Sequence, residues 1–193
     1  MERPDARGNV TVTALLVMVP LALIVALAAS AGAVYVRWAA LGHALDVARE
    51  TTMSAGFEMM LKSSDDPGAM IADKLAGELR GAGVDDELTV WFVEEPATSL
   101  GDNVRAMAWY ALVETGFGKD TLMGEVSIPC STSASIVPYA ATQVYKPAVS
   151  DQVAVYAYPA GSSSGSKSQT PRESMPPLLR DALDRAVETA RTY

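Results

Sequence analysis

The sequence predicts an α+β protein: a long apolar amino-terminal helix running into a head built on an antiparallel sheet, followed by a tethered carboxy-terminal helix. Three observations carry this. The 29 residues from Gly8 to Val36 contain no Asp, Glu, Lys, Arg or His. Apolar residues then recur at helical spacing as far as Met59. Beyond Lys62, short runs rich in β-branched and aromatic residues alternate with Gly, Pro and Asp.

Within the uncharged stretch, Ala14 to Tyr35 would form a helix of about 33 Å, enough to cross a hydrocarbon layer of about 30 Å. The expected span is about 14–36. Pro20 removes one backbone donor and predicts a kink one turn earlier, near Leu16. Ala28 with Gly32 places small residues four apart, which lets another helix approach closely. Tyr35 and Trp38 stand where an interfacial aromatic belt would lie. A signal peptide is the rival reading, with Ala29-Ser30-Ala31 as a small-residue cleavage site. Two arginines before the span (Arg3, Arg7) match two after it (Arg37, Arg49), so charge does not set the sidedness.

From Val34 the apolar positions Trp38, Leu41, Leu45, Ala48, Thr52, Ala55 and Met59 alternate at spacings of four and three, a heptad seam leaving the span. One continuous helix over 9–62 is the simplest structure. Its seam packs either on its own head, the favoured reading, or in an intermolecular coiled coil.

The head is expected at 63–158. Asp66 and Pro67 read as N-cap and first residue of a helix with Ile71, Leu75 and Leu79 on one face, ended by Gly81-Ala82-Gly83. Strands are expected at 88–94, 105–114, 122–128, 131–137 and 153–158, with Pro129 and Pro138 at strand ends or edges. The Ser/Gly/Pro-rich stretch 159–177 reads as a flexible linker. Residues 178–193 carry an apolar stripe from Leu179 to Ala190 and read as an amphipathic helix, docked on the head, on a partner or on a membrane face.

Composition narrows the chemistry. Against 15 Lys and Arg stand 23 Asp and Glu, a net charge of -8, the wrong sign for neutralising phosphates, so nucleic acid is not an expected partner. A single Cys, Cys130, excludes an intrachain disulfide, and a single His, His43, argues against a His/Cys zinc site or a His-based triad. The acidic pairs lack the spaced ligands of a calcium loop, and no phosphate-binding or nucleophile-elbow motif is present. No catalytic residue, metal or cofactor is expected, and the chain reads as a non-enzyme.

A family resemblance then adds to this reading. Arg7-Gly8-Asn9-Val10-Thr11-Val12-Thr13-Ala14 leading to Pro20, then Val34-Tyr35-Val36-Arg37 and Ala44-Leu45-Asp46-Val47-Ala48-Arg49-Glu50, resembles the start of TadE-like pseudopilins of tight-adherence (type IVb, Flp) pilus systems. The resemblance covers about residues 7–55. It implies a leader 1–8 removed between Gly8 and Asn9 by a prepilin peptidase, a pilin-like head outside the cytoplasmic membrane, and pilin-like subunits or assembly-platform proteins as partners. One position departs from the pattern. Where the family carries Glu five residues after the Gly, this chain has Thr13. The reading that follows is a membrane-anchored accessory subunit of a pilus or secretion assembly acting by protein contact. The alternative is an exported or signal-anchored extracytoplasmic ligand-binding domain unrelated to pili.

Overall fold

The computed structural model describes residues 6–62, 64–96, 104–117, 126–140 and 152–192. Leader residues 1–5 and the expected strand start at 122–125 lie outside them. Helix α1 spans Ala6–Thr52 and passes through Pro20 without ending. The expected single helix is divided, because α2 (Ala55–Lys62) restarts after a break at Met53 and Ser54. Thr51 and Thr52 bond back to the carbonyls of Val47 and Arg49 at 2.9 and 2.7 Å, and these hydroxyls compete with the helical ladder at its end. The Met53 amide is shared between the carbonyls of Arg49 and Glu50, the Ser54 amide reaches Thr51 three residues back, and the tightened turn closes α1. Restarting lets α2 bury Leu61 while Met59 and Met60 face outward.

Helix α3 (Pro67–Gly81) begins as its sequence dictates: the Asp66 carboxylate accepts from the Ala69 amide at 3.1 Å, and Pro67 opens the first turn. Gly83, at φ 77°, reverses the chain after it. Five strands follow: β1 (Glu87–Pro96), β2 (Val104–Phe117), β3 (Val126–Ala140), β4 (Gln152–Tyr158) and β5 (Ser166–Pro171). They form one antiparallel sheet in the order β3-β2-β1-β4-β5. The two strands expected around Pro129 are one strand. β3 runs through both prolines because it lies at a sheet edge, where a missing N–H costs no ladder bond to an outer neighbour. Its register with β2 shifts between Arg105 and Met107, beside Pro138.

Alternation along the strands makes two apolar faces. Val90, Phe92, Trp109, Val113, Ile136, Tyr156 and Tyr158 pack against Leu41, Leu45 and Ala48 of α1 and Ile71, Leu75 and Leu79 of α3. The reverse face, with Val93, Ala106, Ala108, Tyr110 and Val153, is covered by Leu179, Leu183, Val187 and Ala190 of α4 (Pro177–Thr192). The head is therefore three layers: helices, sheet, helix.

This corrects the flexible linker expected at 159–177. Residues Ser166–Pro171 form β5, paired to β4 from Ala157↔Ser166 to Gln152↔Pro171, and a 3₁₀ turn at Arg172–Ser174 leads to buried Met175 and α4. An edge strand needs only one partner's backbone, so side chains as polar as Ser, Lys and Gln stay in water while the main chain is held. The glycines there also serve close approach. A Cβ on Gly165 would stand 2.6 Å from the Tyr158 ring, and Gly161 has φ 70°. Helix α4 is docked, not tethered. Leu183, fully buried against the sheet, is the position where this shows: Leu183→Ala should cost about 2–5 kcal/mol and lower the single melting transition of the whole head. Circular dichroism melting of the detergent-solubilised chain checks this, and an unchanged transition would mean that α4 is separable.

Candidate interaction surfaces

The first surface is α1 below the head. Every residue described from Val12 to Val36 is exposed or half-exposed, and none joins a buried cluster of this chain. α1 is long and apolar enough to cross a membrane, and its apolar window is unburied. Gly8 and Asn9 lie in the first turns of α1, and Thr13 is on its exposed surface. Ala28 is exposed as well, and an added Cβ at Gly32 would meet nothing within 4 Å, so these small residues touch nothing else in this chain.

The second surface begins where charge returns. Arg37, the first ionisable residue after the uncharged stretch, reaches the Asp86 carboxylate at 3.6 Å. That carboxylate also accepts from the Thr115 hydroxyl at 2.8 Å, so the α3–β1 turn is held against α1 at this level. Tyr35 and Trp38 lie beside it, with ring centroids 6.2 Å apart. Between α1 and the end of α3 opens a cleft of about 870 Å³, lined along α1 from Arg37 to Val47 and along the turn from Glu78 to Asp86. His43 is exposed on its rim.

Above this level the heptad seam turns inward. Leu41, Leu45, Ala48 and Thr52 are buried, whereas Trp38 at the seam's lower end is 45% exposed. The middle of the seam, Leu41, Leu45 and Ala48, packs within the chain on α3 and the sheet, while Ala55 and Met59 at its upper end are exposed.

Compared with known proteins, the chain matches no family model, no curated protein and no solved structure. Its surfaces are therefore interpreted from their own chemistry. Among the described residues no group of three or more His, Cys, Asp and Glu side chains is placed to hold a metal ion. Cys130 is buried on the α1-facing side of β3, and burial pushes its thiol pKa up, away from the reactive thiolate.

Two polar clamps keep the head rigid, and sequence reading missed both. The Arg80 guanidinium donates to the carbonyls of Val84 (2.6 Å), Asp86 (2.9 Å), Pro159 (3.1 Å) and Ser162 (3.3 Å), tying the end of α3 to the β1 entry and the β4–β5 turn. Asp66 caps α3 and also accepts from the Tyr156 hydroxyl at 2.7 Å and from the Lys167 ammonium. Residue 66 declares itself as a cap beside Pro67, but its partners stand 90 and 101 positions away and leave no local trace. Nearby, the Tyr158 hydroxyl donates to Asp73, and burial with that carboxylate pushes its pKa well above the tyrosine range.

Burial alone would raise the Asp66 pKa, but the Lys167, Tyr156 and Ala69 donors together hold it below the ordinary carboxylate value. A depressed native pKa means stability that is complete above the unfolded pKa of about 3.9 and is lost as pH falls through the native value. Asp66→Asn should therefore lower the melting temperature at pH 7 and flatten its fall below about pH 4. Melting curves from pH 7 to pH 2 decide this; parallel acid profiles for variant and parent would contradict it.

Proposed function

We propose that the chain is a single-pass, membrane-anchored, pilin-like accessory subunit of a tight-adherence or type IV-like pilus or secretion assembly, acting through protein contacts outside the cytoplasmic membrane. The observation that carries this is the division of α1: one helix whose lower half is apolar and bare and whose upper half is part of the core of a sheet-built head. A removable export signal has no need to continue as a structural helix of the mature domain. An anchor that sets the height and orientation of its head does.

The resemblance of the segment around Gly8, Pro20 and Ala44–Glu50 supplies the pilus context, and it assigns the head to the extracytoplasmic side. In that setting prepilin-type processing leaves Asn9 as the amino terminus and Thr13 as the fifth residue. An unpaired ammonium in hydrocarbon is costly, and a hydroxyl cannot neutralise it as a carboxylate does. Thr13 therefore gives a neighbouring subunit little reason to be drawn in, and the protein assists assembly without being a bulk filament subunit.

Thr13→Glu should raise the share of the protein recovered in sheared surface filaments, while the parent stays in carbonate-resistant membranes with Asn9 as its first residue. Fractionation with amino-terminal sequencing tests all three. Release of a soluble head that begins near Ala31 would favour the exported binding domain instead. Stoichiometric incorporation of the parent, unchanged by Thr13→Glu, would overturn the accessory role.

A further inference from the structure

We propose that the cleft between α1 and α3 binds the headgroup of an aminophospholipid, phosphate toward Arg37 and ammonium toward Asp86. The inference rests on the membrane-anchored reading and specifies which lipid the head meets. Arg37 follows the uncharged stretch directly, so the lower mouth of the cleft lies at the edge of the hydrocarbon. The polar headgroup layer adds about 5–7 Å beyond that edge, which at about 1.5 Å per residue covers α1 from Arg37 to about Leu41. The lower cleft is therefore at headgroup depth, and the upper cleft, toward Val47, is in water.

The volume of about 870 Å³ lies within the range of small-molecule sites, about 300–1,000 Å³. Small residues line it: Ala40 and Ala44 on α1, Gly81 at the end of α3 and Gly83 in the turn after it. Its charges are of both signs, and Arg37 and Asp86 meet across it at 3.6 Å. The Arg37 guanidinium, on a side chain 58% exposed, can donate to a phosphate.

On the opposite wall stand Asp86 and Glu78. The Glu78 carboxylate is shared with Lys74 at 2.7 Å. Asp86, which accepts from Thr115 and faces Arg37, keeps capacity for a further donor, because a carboxylate offers about four lone-pair sites.

This set discriminates among lipids. Carboxylates outnumber the guanidinium, in a chain of net charge -8, so an acidic headgroup is disfavoured. A quaternary ammonium has no N–H to give Asp86. A primary ammonium joined to a phosphate by two carbons satisfies both walls at once. The headgroup would slip between Arg37 and Asp86, whose separation of 3.6 Å is already looser than a short charge-assisted hydrogen bond of about 2.7–2.9 Å.

The test uses the full-length chain in nanodiscs made from equal parts phosphatidylethanolamine, phosphatidylcholine and phosphatidylglycerol. Native mass spectrometry then reads the lipid retained on release. Phosphatidylethanolamine should be retained at least five-fold over either other lipid. Asp86→Asn, near-isosteric and with its backbone still held by Arg80, should bring it to the phosphatidylcholine level, as should Arg37→Gln, while Asp181→Asn on α4 should change nothing. Equal retention of the three lipids by an inserted chain, or a preference untouched by both cleft variants, overturns the inference and leaves the anchor standing. Failure of the chain to enter nanodiscs overturns both. In detergent, water-soluble phosphoethanolamine displacing the lipid at comparable concentration would make the cleft a soluble-ligand site and also overturn the proposal.

Discussion

The structure depends on one helix with two different surfaces. Over Val12 to Val36, α1 offers apolar side chains in every direction, and no protein surface of its own covers them. From Leu41 to Thr52 the same helix is amphipathic and supplies four buried positions to the head. Apolar surface left in water is unfavourable, and the upper half of α1 removes its own by packing on α3 and the sheet. The Arg37–Asp86 contact stands at the changeover, and the packing of Leu41, Leu45 and Ala48 holds the head on α1 above it.

Everything above that contact serves to make the upper half of α1 a fixed part of the core. The sheet presents one face to α1 and α3 and the other to α4, so removing either layer would expose apolar strands on one side. Arg80 and Asp66 close the ends of α3 against the β4–β5 turn and β4, far away in sequence. Four carbonyls on one guanidinium form a stiffer joint than apolar packing alone, since each would be left unsatisfied if the head sheared against α3. The head and the bare apolar stretch thus share one helix, α1.

Much of this was legible in the sequence, and its limits have physical causes. The uncharged stretch, the 3-4 spacing of Leu41, Leu45 and Ala48, the Asp66-Pro67 cap and the β-branched runs are local signals written in side-chain type, and the corresponding elements form. β5 escaped because its order lies in backbone pairing, while Ser166, Lys167 and Ser168 remain in solvent like linker residues. The break at Met53 escaped because no Pro or Gly marks it. β3 was divided in expectation at Pro129, since sequence alone does not reveal that the strand has an open edge. The cleft escaped altogether: its walls come from residues about 40 positions apart, and Arg37 in the sequence counts only as a flanking charge.

The central claim is that α1 changes solvent within about one turn of Arg37. Spin labels placed singly along residues 15–52 of the full-length chain in lipid bilayers, read by their accessibility to oxygen and to a water-soluble relaxation agent, test it most directly. The predicted result is high oxygen and low aqueous accessibility at every position from Leu15 to Val34, with no helical period. Past Trp38 this should give way to a 3.6-residue oscillation with minima at Leu41, Leu45 and Ala48. A periodic pattern already present between Leu15 and Val34, or aqueous accessibility there, would contradict the account.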